Sequence, residues 1–257
     1  MATQRGPKIV RSGLVLYLDA ADRKSLSGSG ATAWNDLSGN NENFTLYNSP
    51  TFNNSYGGEL RFDGSNDYAR RRSSNIINNI AANGSVEVWT RSYDGVLGGQ
   101  DYSRLISVAN DAGTGSDTSG TRGSTTNDFS NFFCLSRNKA DYYGLWYKNG
   151  NPSAWGDSTT YADNIYRQII FTWSTSGGNM TFSHYINSVL KLSQTYGQAN
   201  YSGAQHITIS DDCNCARDSS TPQRNKGAYS IVRFYAKTLS QSEITQNFNT
   251  QRGRFSV

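Results

Sequence analysis

The segment Ala228–Phe255 constrains the fold most strongly, because it predicts a buried strand followed directly by one helix. Alternation divides the strand into two faces, which carry Ser230, Val232 and Phe234 on one side and Tyr229, Ile231 and Tyr235 on the other. Both faces therefore carry large apolar groups. Such a strand is typical of the middle of a sheet that is covered on both sides.

The helix after this strand has a clearly encoded start. Ser240 and Glu243 have the spacing of a capping box, and Leu239 and Ile244 have the spacing of a hydrophobic staple. Ile244 and Phe248 then lie one turn apart, which is enough to dock a helix on a surface but not to form a core. The chain is therefore expected to close with one buried strand and one short surface helix.

The rest of the chain reads as short strands separated by turns. Among its 257 residues are 25 Gly but only 4 Pro and 2 Met, and no internal repeat or linker divides it. Leu14, Leu16 and Leu18 share one face of an opening strand. Because this pattern matches that of the closing strand, we predict that Leu14–Leu18 lies near Ser230–Tyr235 in one sheet.

Three stretches together resemble a known family. The sequences GLVLYLDA (Gly13–Ala20), GELRFDGSNDY (Gly58–Tyr68) and the closing strand and helix resemble concanavalin A-like (laminin-G-like) jelly rolls of the kind found in tailed-phage virion proteins. The resemblance implies an all-β fold: a single antiparallel two-sheet β-sandwich over residues 13–257, with one short C-terminal helix. Residues 1–12 fit no strand pattern and are expected to form an extended arm.

Charge and hydropathy exclude several classes of function. The formal charge of +4 arises from 24 basic and 20 acidic residues spread along the chain, so nucleic acid is not an expected partner. No apolar run approaches the roughly 20 residues that a membrane-spanning helix needs, and no signal-peptide pattern precedes the first strand. Three cysteines leave an odd thiol and do not indicate a disulfide framework. We therefore expect synthesis and assembly in a reducing cytoplasm.

The sequence lacks the acid pair of a glycan hydrolase. Such chemistry needs two facing carboxylates, which on a strand lie two residues apart. The four glutamates are Glu42, Glu59, Glu87 and Glu243, and none has a carboxylate two residues away. The two histidines, His184 and His206, lie in separate strand-like segments. We therefore predict that the protein is not an enzyme, and that Glu87→Gln leaves its function unchanged.

No cofactor is predicted, although calcium is the ion that the sequence would suit best. Asp211–Asp212 and the turn Asp63–Asp67 supply hard oxygen ligands, but each also has an ordinary role in a turn. The family resemblance implies occasional calcium binding at loop carboxylates. Cys213 and Cys215 lack zinc-site spacing. We assign no metal ligands.

The function implied by the resemblance is that of a virion structural protein, which decorates the capsid or joins the neck or tail. Its partners would be other virion proteins, and self-association stays open. Three segments cannot fold alone and could become ordered on a partner: residues 1–12, Asp111–Asp128 and Ser210–Lys226. The predicted contact residues are cations of the arm and of one charge run, namely Arg5, Lys8, Arg11, Arg70, Arg71 and Arg72.

The alternative is a lectin-like, glycan-binding module of a receptor-binding tail component, whose partner would be a cell-surface glycan. Glycan sites combine aromatic faces with polar loop residues. The candidate aromatic residues lie close together in the sequence: Tyr143, Trp146, Trp155 and Tyr161. Alternation directs only about half of such residues outward, and an all-β protein also needs aromatic residues in its core.

Overall fold

The structure is a computed structural model that describes residues 8–93, 102–109, 131–138, 143–147, 153–155, 160–197, 206–211 and 224–257. In chain order its strands are β1 (Leu14–Asp19), β2 (Ala33–Trp34), β3 (Phe44–Tyr47), β4 (Thr51–Asn53), β5 (Glu59–Asp63), β6 (Tyr68–Arg71), β7 (Asn83–Ser92), β8 (Tyr102–Ala109), β9 (Asn131–Asn138), β10 (Tyr143–Tyr147), β11 (Ser153–Trp155), β12 (Arg167–Ser176), β13 (Asn179–Ile186), β14 (Val189–Gly197), β15 (His206–Ile209) and β16 (Lys226–Tyr235). A 3₁₀ turn covers Ser55–Gly57, α1 is a single turn at Ile77–Ile80, and α2 spans Gln241–Phe255. Over these residues no helix has the length and apolar character needed to cross a membrane.

The strands form two antiparallel sheets. The first has the order β14-β13-β12-β7-β16-β5-β4, with β1 also paired to β16, and the second has the order β11-β10-β9-β8-β15-β6-β3-β2. Side chains from both sheets meet in one continuous core. This arrangement confirms the predicted all-β, two-sheet sandwich with one short C-terminal helix.

Strand β16 organises the first sheet, as its pattern predicts. β7 pairs along one edge of β16, while β5 and β1 share the other edge. In the β1 pairing, Leu16 lies opposite Phe234 and Leu18 lies opposite Val232, which confirms the predicted proximity of the two terminal strands. Every residue of β16 after Lys226 is buried. The three stretches that carry the family resemblance therefore form adjacent strands.

The core between the sheets requires glycine at one close approach. At Gly84 a Cβ atom would lie 2.3 Å from Cζ2 of Trp173, whose indole is fully buried. The same indole donates a hydrogen bond from Nε1 to the carbonyl oxygen of Ile80 at 2.6 Å. Position 84 thus accepts no side chain unless the Trp173 ring moves.

Helix α2 starts at the predicted cap. The Oγ of Ser240 accepts the backbone N–H of Glu243 at 3.4 Å, and Oε2 of Glu243 accepts the backbone N–H of Ser240 at 3.0 Å. Leu239 and Ile244 are both buried in one small apolar cluster with Ile170 of β12. The capping box and the staple therefore fix where the helix leaves β16 and how it lies on the first sheet.

Replacing Ser240 by alanine should lower the free energy of unfolding by about 1 kcal/mol, because the N–H of Glu243 loses its acceptor. Urea unfolding followed by circular dichroism measures this change. Asn249→Ala, at an exposed position of the same helix, is the matched control and should change stability by no more than about 0.5 kcal/mol. Equal effects of the two substitutions would argue against a specific capping role.

The N-terminal segment packs more closely than the expected arm of residues 1–12. Residues 1–7 lie outside the described residues, whereas residues 8–12 lie against the body. The backbone N–H of Val10 donates to Oδ1 of Asn247 at 2.8 Å, and Nε2 of Gln246 donates to the carbonyl oxygen of Lys8 at 2.7 Å. Val10 itself is buried in the cluster beneath α2. Residues 8–12 are therefore part of the folded domain.

The two other segments expected to become ordered on a partner are covered only in part. Asp111–Asp128 lies outside the described residues. Of Ser210–Lys226, the structure describes residues 210–211 and 224–226. The first piece follows β15 of the second sheet, and the second leads into β16 of the first sheet.

Candidate functional site

The outer face of the second sheet carries polar side chains. One row of paired residues runs across its strands in the order Thr45, Arg70, Thr208, Ser107, Cys134. The adjacent row faces the core and consists of Leu46, Ala69, Ile209, Ile106 and Leu135. We call the outer side of this sheet the polar face. Thr208 and Ser107 are buried, whereas Thr45 is exposed and Arg70 is partly exposed, so among the side chains that the structure describes β3 and β6 form the accessible end of this face.

Two tyrosines stand at this accessible end. Tyr47 and Tyr68 lie opposite each other on β3 and β6, and their rings stack with centroids 4.5 Å apart at an interplanar angle of 10°. The guanidinium of Arg70 lies 4.9 Å from the centroid of the Tyr68 ring, and its Nε donates to Oγ1 of Thr208 at 3.1 Å. Both tyrosines are partly exposed. The result is an aromatic pair with a fixed cation beside it.

This pair was not predicted from the sequence, although a signal for it existed. Tyr47 follows Thr45 on the polar side of β3, and Tyr68 precedes Arg70 on the polar side of β6. Alternation alone therefore placed both rings on outward positions. What it could not supply was the register that makes β3 and β6 neighbours.

Two turns border the aromatic pair, and each crosses between the sheets. Asn48 and Ser49, between β3 and β4, have φ angles of 62° and 71°, in the left-handed region. In the turn between β5 and β6, Oδ1 of Asp63 accepts several backbone N–H groups, among them that of Asn66 at 3.1 Å. The side chain of Asn48 joins the two turns by donating from Nδ2 to the carbonyl oxygen of Asn66 at 2.7 Å. Asn48, Ser49 and Asn66 are exposed, so amides and hydroxyls line this rim.

The run Arg70–Arg72 does not act as one cationic patch. Arg70 points to the polar face, whereas Nε of Arg71 donates to Oε2 of Glu42 at 2.9 Å. Glu42 is fully buried. Arg72 is partly exposed just beyond the end of β6. The run is therefore divided by strand alternation, and Arg71 has a structural partner within the chain.

The cations of the N-terminal segment lie elsewhere, beside α2. Lys8 and Arg11 are both exposed, and the guanidinium of Arg11 lies 5.6 Å from the centroid of the Tyr17 ring. Arg5 falls outside the described residues. The predicted contact cations thus belong to two separate regions, one at the N-terminal segment and one on the polar face.

The four aromatic residues predicted to bind glycan are also separated. Tyr143 and Tyr161 are 1% and 8% exposed in the main core, with ring centroids 5.4 Å apart. No sugar can stack on either ring there, which corrects the expectation for these two residues. The cause is strand parity, because Tyr143 lies opposite Arg137 in a row that faces inward. Trp146 and Trp155 are paired with Cys134 and Gly144, and their side chains lie outside the described residues.

The acidic turn suggested for calcium forms an ordinary turn network. Oδ1 of Asp63 accepts the backbone N–H of Ser65 at 2.7 Å, and Oδ2 of Asp67 accepts the N–H of Asp63 at 3.2 Å. Arg224 joins this turn to β15 by donating to the carbonyl oxygen of Ser65 and pairing with Asp211 at 3.2 Å. Asp212 lies outside the described residues. Within the described ranges, no group of three or more His, Cys, Asp or Glu residues is placed to hold a metal.

Asp67 should make stability depend on pH in the mildly acidic range. Its burial, together with the nearby carboxylate of Asp63, raises its pKa from 3.8 to about 6. The folded state therefore binds this proton more tightly than the unfolded state. The resulting stability is fully present below about pH 4 and is lost as the pH rises through about 6.

Urea unfolding at several pH values between 4 and 7.5 measures this effect against Asp67→Asn, which mimics the protonated side chain. The variant should lose part of the decline in stability that the parent protein shows over that range. Asp22→Asn, at an exposed turn position, is the control and should keep the parent slope. Identical slopes for Asp67→Asn and the parent would contradict the assignment.

The largest feature that sequence reasoning missed is a buried charge network beneath α2. Glu87 and Arg233 are both fully buried, and Nη1 of Arg233 donates to Oε1 of Glu87 at 3.1 Å. Nearby, Glu59 accepts from Nη2 of Arg91 at 2.6 Å and from the hydroxyl of Tyr166 at 2.8 Å. Nδ2 of Asn247, on α2, donates to Oε2 of Glu87 at 2.8 Å and so connects the helix to this network. Glu87 therefore has a structural role, and the expectation that Glu87→Gln leaves the function unchanged stays a prediction.

Solved structures share this fold, although no protein-family model and no curated protein matches the sequence. A Trypanosoma rangeli sialidase in complex with the inhibitor DANA aligns with a TM-score of 0.66 at 13% identity, over 99% of this chain and 35% of the sialidase chain. The receptor binding domain of a botulinum neurotoxin C/D mosaic serotype aligns with a TM-score of 0.65 at 16% identity, over 94% of this chain and 52% of that chain. The botulinum neurotoxin serotype D binding domain gives a TM-score of 0.64 at 17% identity, over 94% and 53% of the two chains. This chain thus spans about a third of the sialidase chain and about half of the toxin chains, and at these identities the likeness shows the β-sandwich fold alone.

The matches contradict the prediction that the protein is not an enzyme. That prediction was based on the missing carboxylate pair, which argues against one class of glycan hydrolase only. Chains that share this fold include those of sialidases. The fold is therefore compatible with enzymes as well as with binding domains, and it identifies no reaction for this chain.

Proposed function

We propose that this chain is a component of a phage virion, where it decorates the capsid or joins neck or tail subunits after synthesis in the host cytoplasm. The observation that carries this proposal is the assembly of the three virion-like stretches. They form β1, β5 and β16 with α2, a single continuous unit of the first sheet. The partners would be capsid or tail proteins.

The exposed cations Lys8 and Arg11 support attachment through the N-terminal segment, because they are held on the body beside the first seven residues. Such cations can pair with carboxylates of a neighbouring subunit. Repeated attachment across a particle would strengthen contacts that are individually weak.

Mass spectrometry of gradient-purified particles tests this function, with immunogold labelling to locate the chain. We expect the protein at a fixed copy number per particle. A variant that lacks residues 1–7 and carries Lys8→Ser and Arg11→Ser loses the attachment cations but keeps Val10 and the backbone contacts of the segment, so it should fold and join particles poorly. Absence of the intact protein from purified particles would rule out the virion role. Full incorporation of the shortened variant would show only that attachment uses another surface.

A second candidate function is glycan binding, in which the chain would serve as a lectin-like module of a receptor-binding tail component. It is favoured by the stacked Tyr47 and Tyr68 beside the exposed amides of Asn48 and Asn66. Aromatic surfaces with a few fixed polar groups are typical of ligand sites. Support also comes from the structures that share the fold, since one is a sialidase in complex with sialic acid and another is a receptor binding domain.

Binding of the fluorescently labelled intact protein to a glycan array tests the second candidate. We expect a small set of related glycans to bind at micromolar strength, with affinity confirmed by calorimetry. The heat-unfolded protein is the control for nonspecific adhesion. No binding above that control would exclude the glycan-binding function and would leave the virion proposal unaffected.

A further inference from the structure

Resting on the glycan-binding candidate, we propose that the accessible corner of the polar face is the sugar subsite, and that it takes an uncharged pyranose. The corner consists of Tyr47, Tyr68, Asn48 and Asn66. It lies where the two turns that cross between the sheets meet the aromatic pair.

The aromatic pair supplies the apolar part of this subsite. Tyr47 and Tyr68 stack at 4.5 Å and remain partly exposed, so their positions are fixed before any ligand binds. Tyrosine offers a rigid apolar ring together with a hydroxyl, which suits a pyranose with its apolar C–H groups and polar rim. Fixed rings also lose little conformational entropy on binding.

The two turns supply the polar part. A side-chain amide has two N–H donors and a carbonyl acceptor. Asn48 uses one donor for the 2.7 Å bond to the Asn66 carbonyl, and among the described residues no partner occupies its amide oxygen. Asn66 is itself exposed and carries a second amide. Paired donors and acceptors of this kind match vicinal sugar hydroxyls.

Backbone strain at the same place supports a binding role. Asn48 and Ser49 are consecutive non-glycine residues in the left-handed region, with φ of 62° and 71°. Strained backbone persists only where its surroundings fix it, and it is concentrated at ligand sites. Here the left-handed backbone accompanies the hydrogen bond from the Asn48 amide to the neighbouring turn.

The charges around the corner favour an uncharged ligand. Arg70 is engaged by the Tyr68 ring and Thr208, and Arg224 pairs with Asp211 at 3.2 Å. The Asp63 carboxylate, held by amides of its own turn, stands at the rim and would repel an acidic sugar. Amides and hydroxyls are the groups that remain to recognise a ligand.

The test combines a glycan array carrying neutral, sialylated and sulfated glycans with calorimetry on the strongest neutral glycan. Asn48→Gly removes the amide while glycine accepts the left-handed backbone, so the fold should be preserved. We expect Asn48→Gly and Tyr68→Ala each to weaken binding at least tenfold. Asn249→Ala, which removes an exposed amide on α2, is the matched control and should bind like the parent.

The outcomes separate this inference from the function on which it rests. If the intact protein binds no glycan, the glycan-binding function itself fails. If a neutral glycan binds equally well to Asn48→Gly, Tyr68→Ala and the parent, the function stands and the subsite is wrong. Preferential binding of sialylated or sulfated glycans would overturn the assignment of an uncharged ligand. Thermal unfolding of each variant confirms that lost binding does not reflect lost structure.

Discussion

Replacing Glu87 by glutamine is expected to lower the free energy of unfolding by about 3–5 kcal/mol, because it leaves the buried guanidinium of Arg233 without its counter-charge. The carboxylate of Glu87 also accepts hydrogen bonds from several buried donors. Those donors are Trp89 Nε1 at 2.9 Å, Gln168 Nε2 at 2.9 Å, Arg233 Nη1 at 3.1 Å and Asn247 Nδ2 at 2.8 Å. The amide group of glutamine would turn a donor toward at least one of them.

Urea unfolding at pH 7, followed by tryptophan fluorescence, measures this loss. Glu243→Gln is the matched control, since it makes the same chemical change at the partly exposed start of α2. The control should cost no more than about 1 kcal/mol. A loss below about 1 kcal/mol for Glu87→Gln would mean that the buried guanidinium of Arg233 does not need the Glu87 carboxylate as its counter-charge.

Phe255→Ala is expected to cost about 3–5 kcal/mol, as is usual when a buried phenylalanine is truncated. The ring is 2% exposed and lies 4.5 Å from both the Trp89 and the Tyr166 ring centroids. It therefore anchors the last turn of α2 over the outer side of the first sheet. Its removal leaves a cavity beside two fully buried aromatic rings.

Phe248→Ala provides the comparison on the same helix. Phe248 stacks on Trp89 at a centroid distance of 5.8 Å but is only partly buried, so its loss should cost clearly less. Both variants are measured by urea unfolding under the same conditions. Equal costs, or a larger cost for Phe248→Ala, would show that the helix is anchored about two turns earlier than the structure indicates.

Local sequence signals predicted the elements that depend on near neighbours. The capping box of Ser240 and Glu243 acts within one turn, so it can be read from spacing and is present in the structure. The same holds for β1 and β16, whose alternating apolar residues give strands and whose matching patterns suggested a pairing. In each case the period of the backbone fixes the side-chain direction.

The importance of α2 could not be predicted in the same way. Ile244 and Phe248 indicated a lightly docked helix, whereas Asn247 and Phe255 are buried and contact residues far away in the chain. A polar residue such as Asn247 carries no sequence signal for burial. Its environment exists only because β7 and β16 pair beneath it.

The sequence by itself determined the fold class, the paired terminal strands, the start of the helix and the two-sided character of each strand. The fold class followed from the resemblance of three stretches to a known family, whereas the others follow from residue spacing on a backbone of known period. Only the tertiary structure decided which outward faces are covered and which are open. Alternation assigns Tyr47, Tyr143 and Glu87 to a face, but the register between distant strands and the docking of α2 decide whether that face meets core, helix or solvent. Those contacts join residues far apart in the chain, so no local spacing contains them.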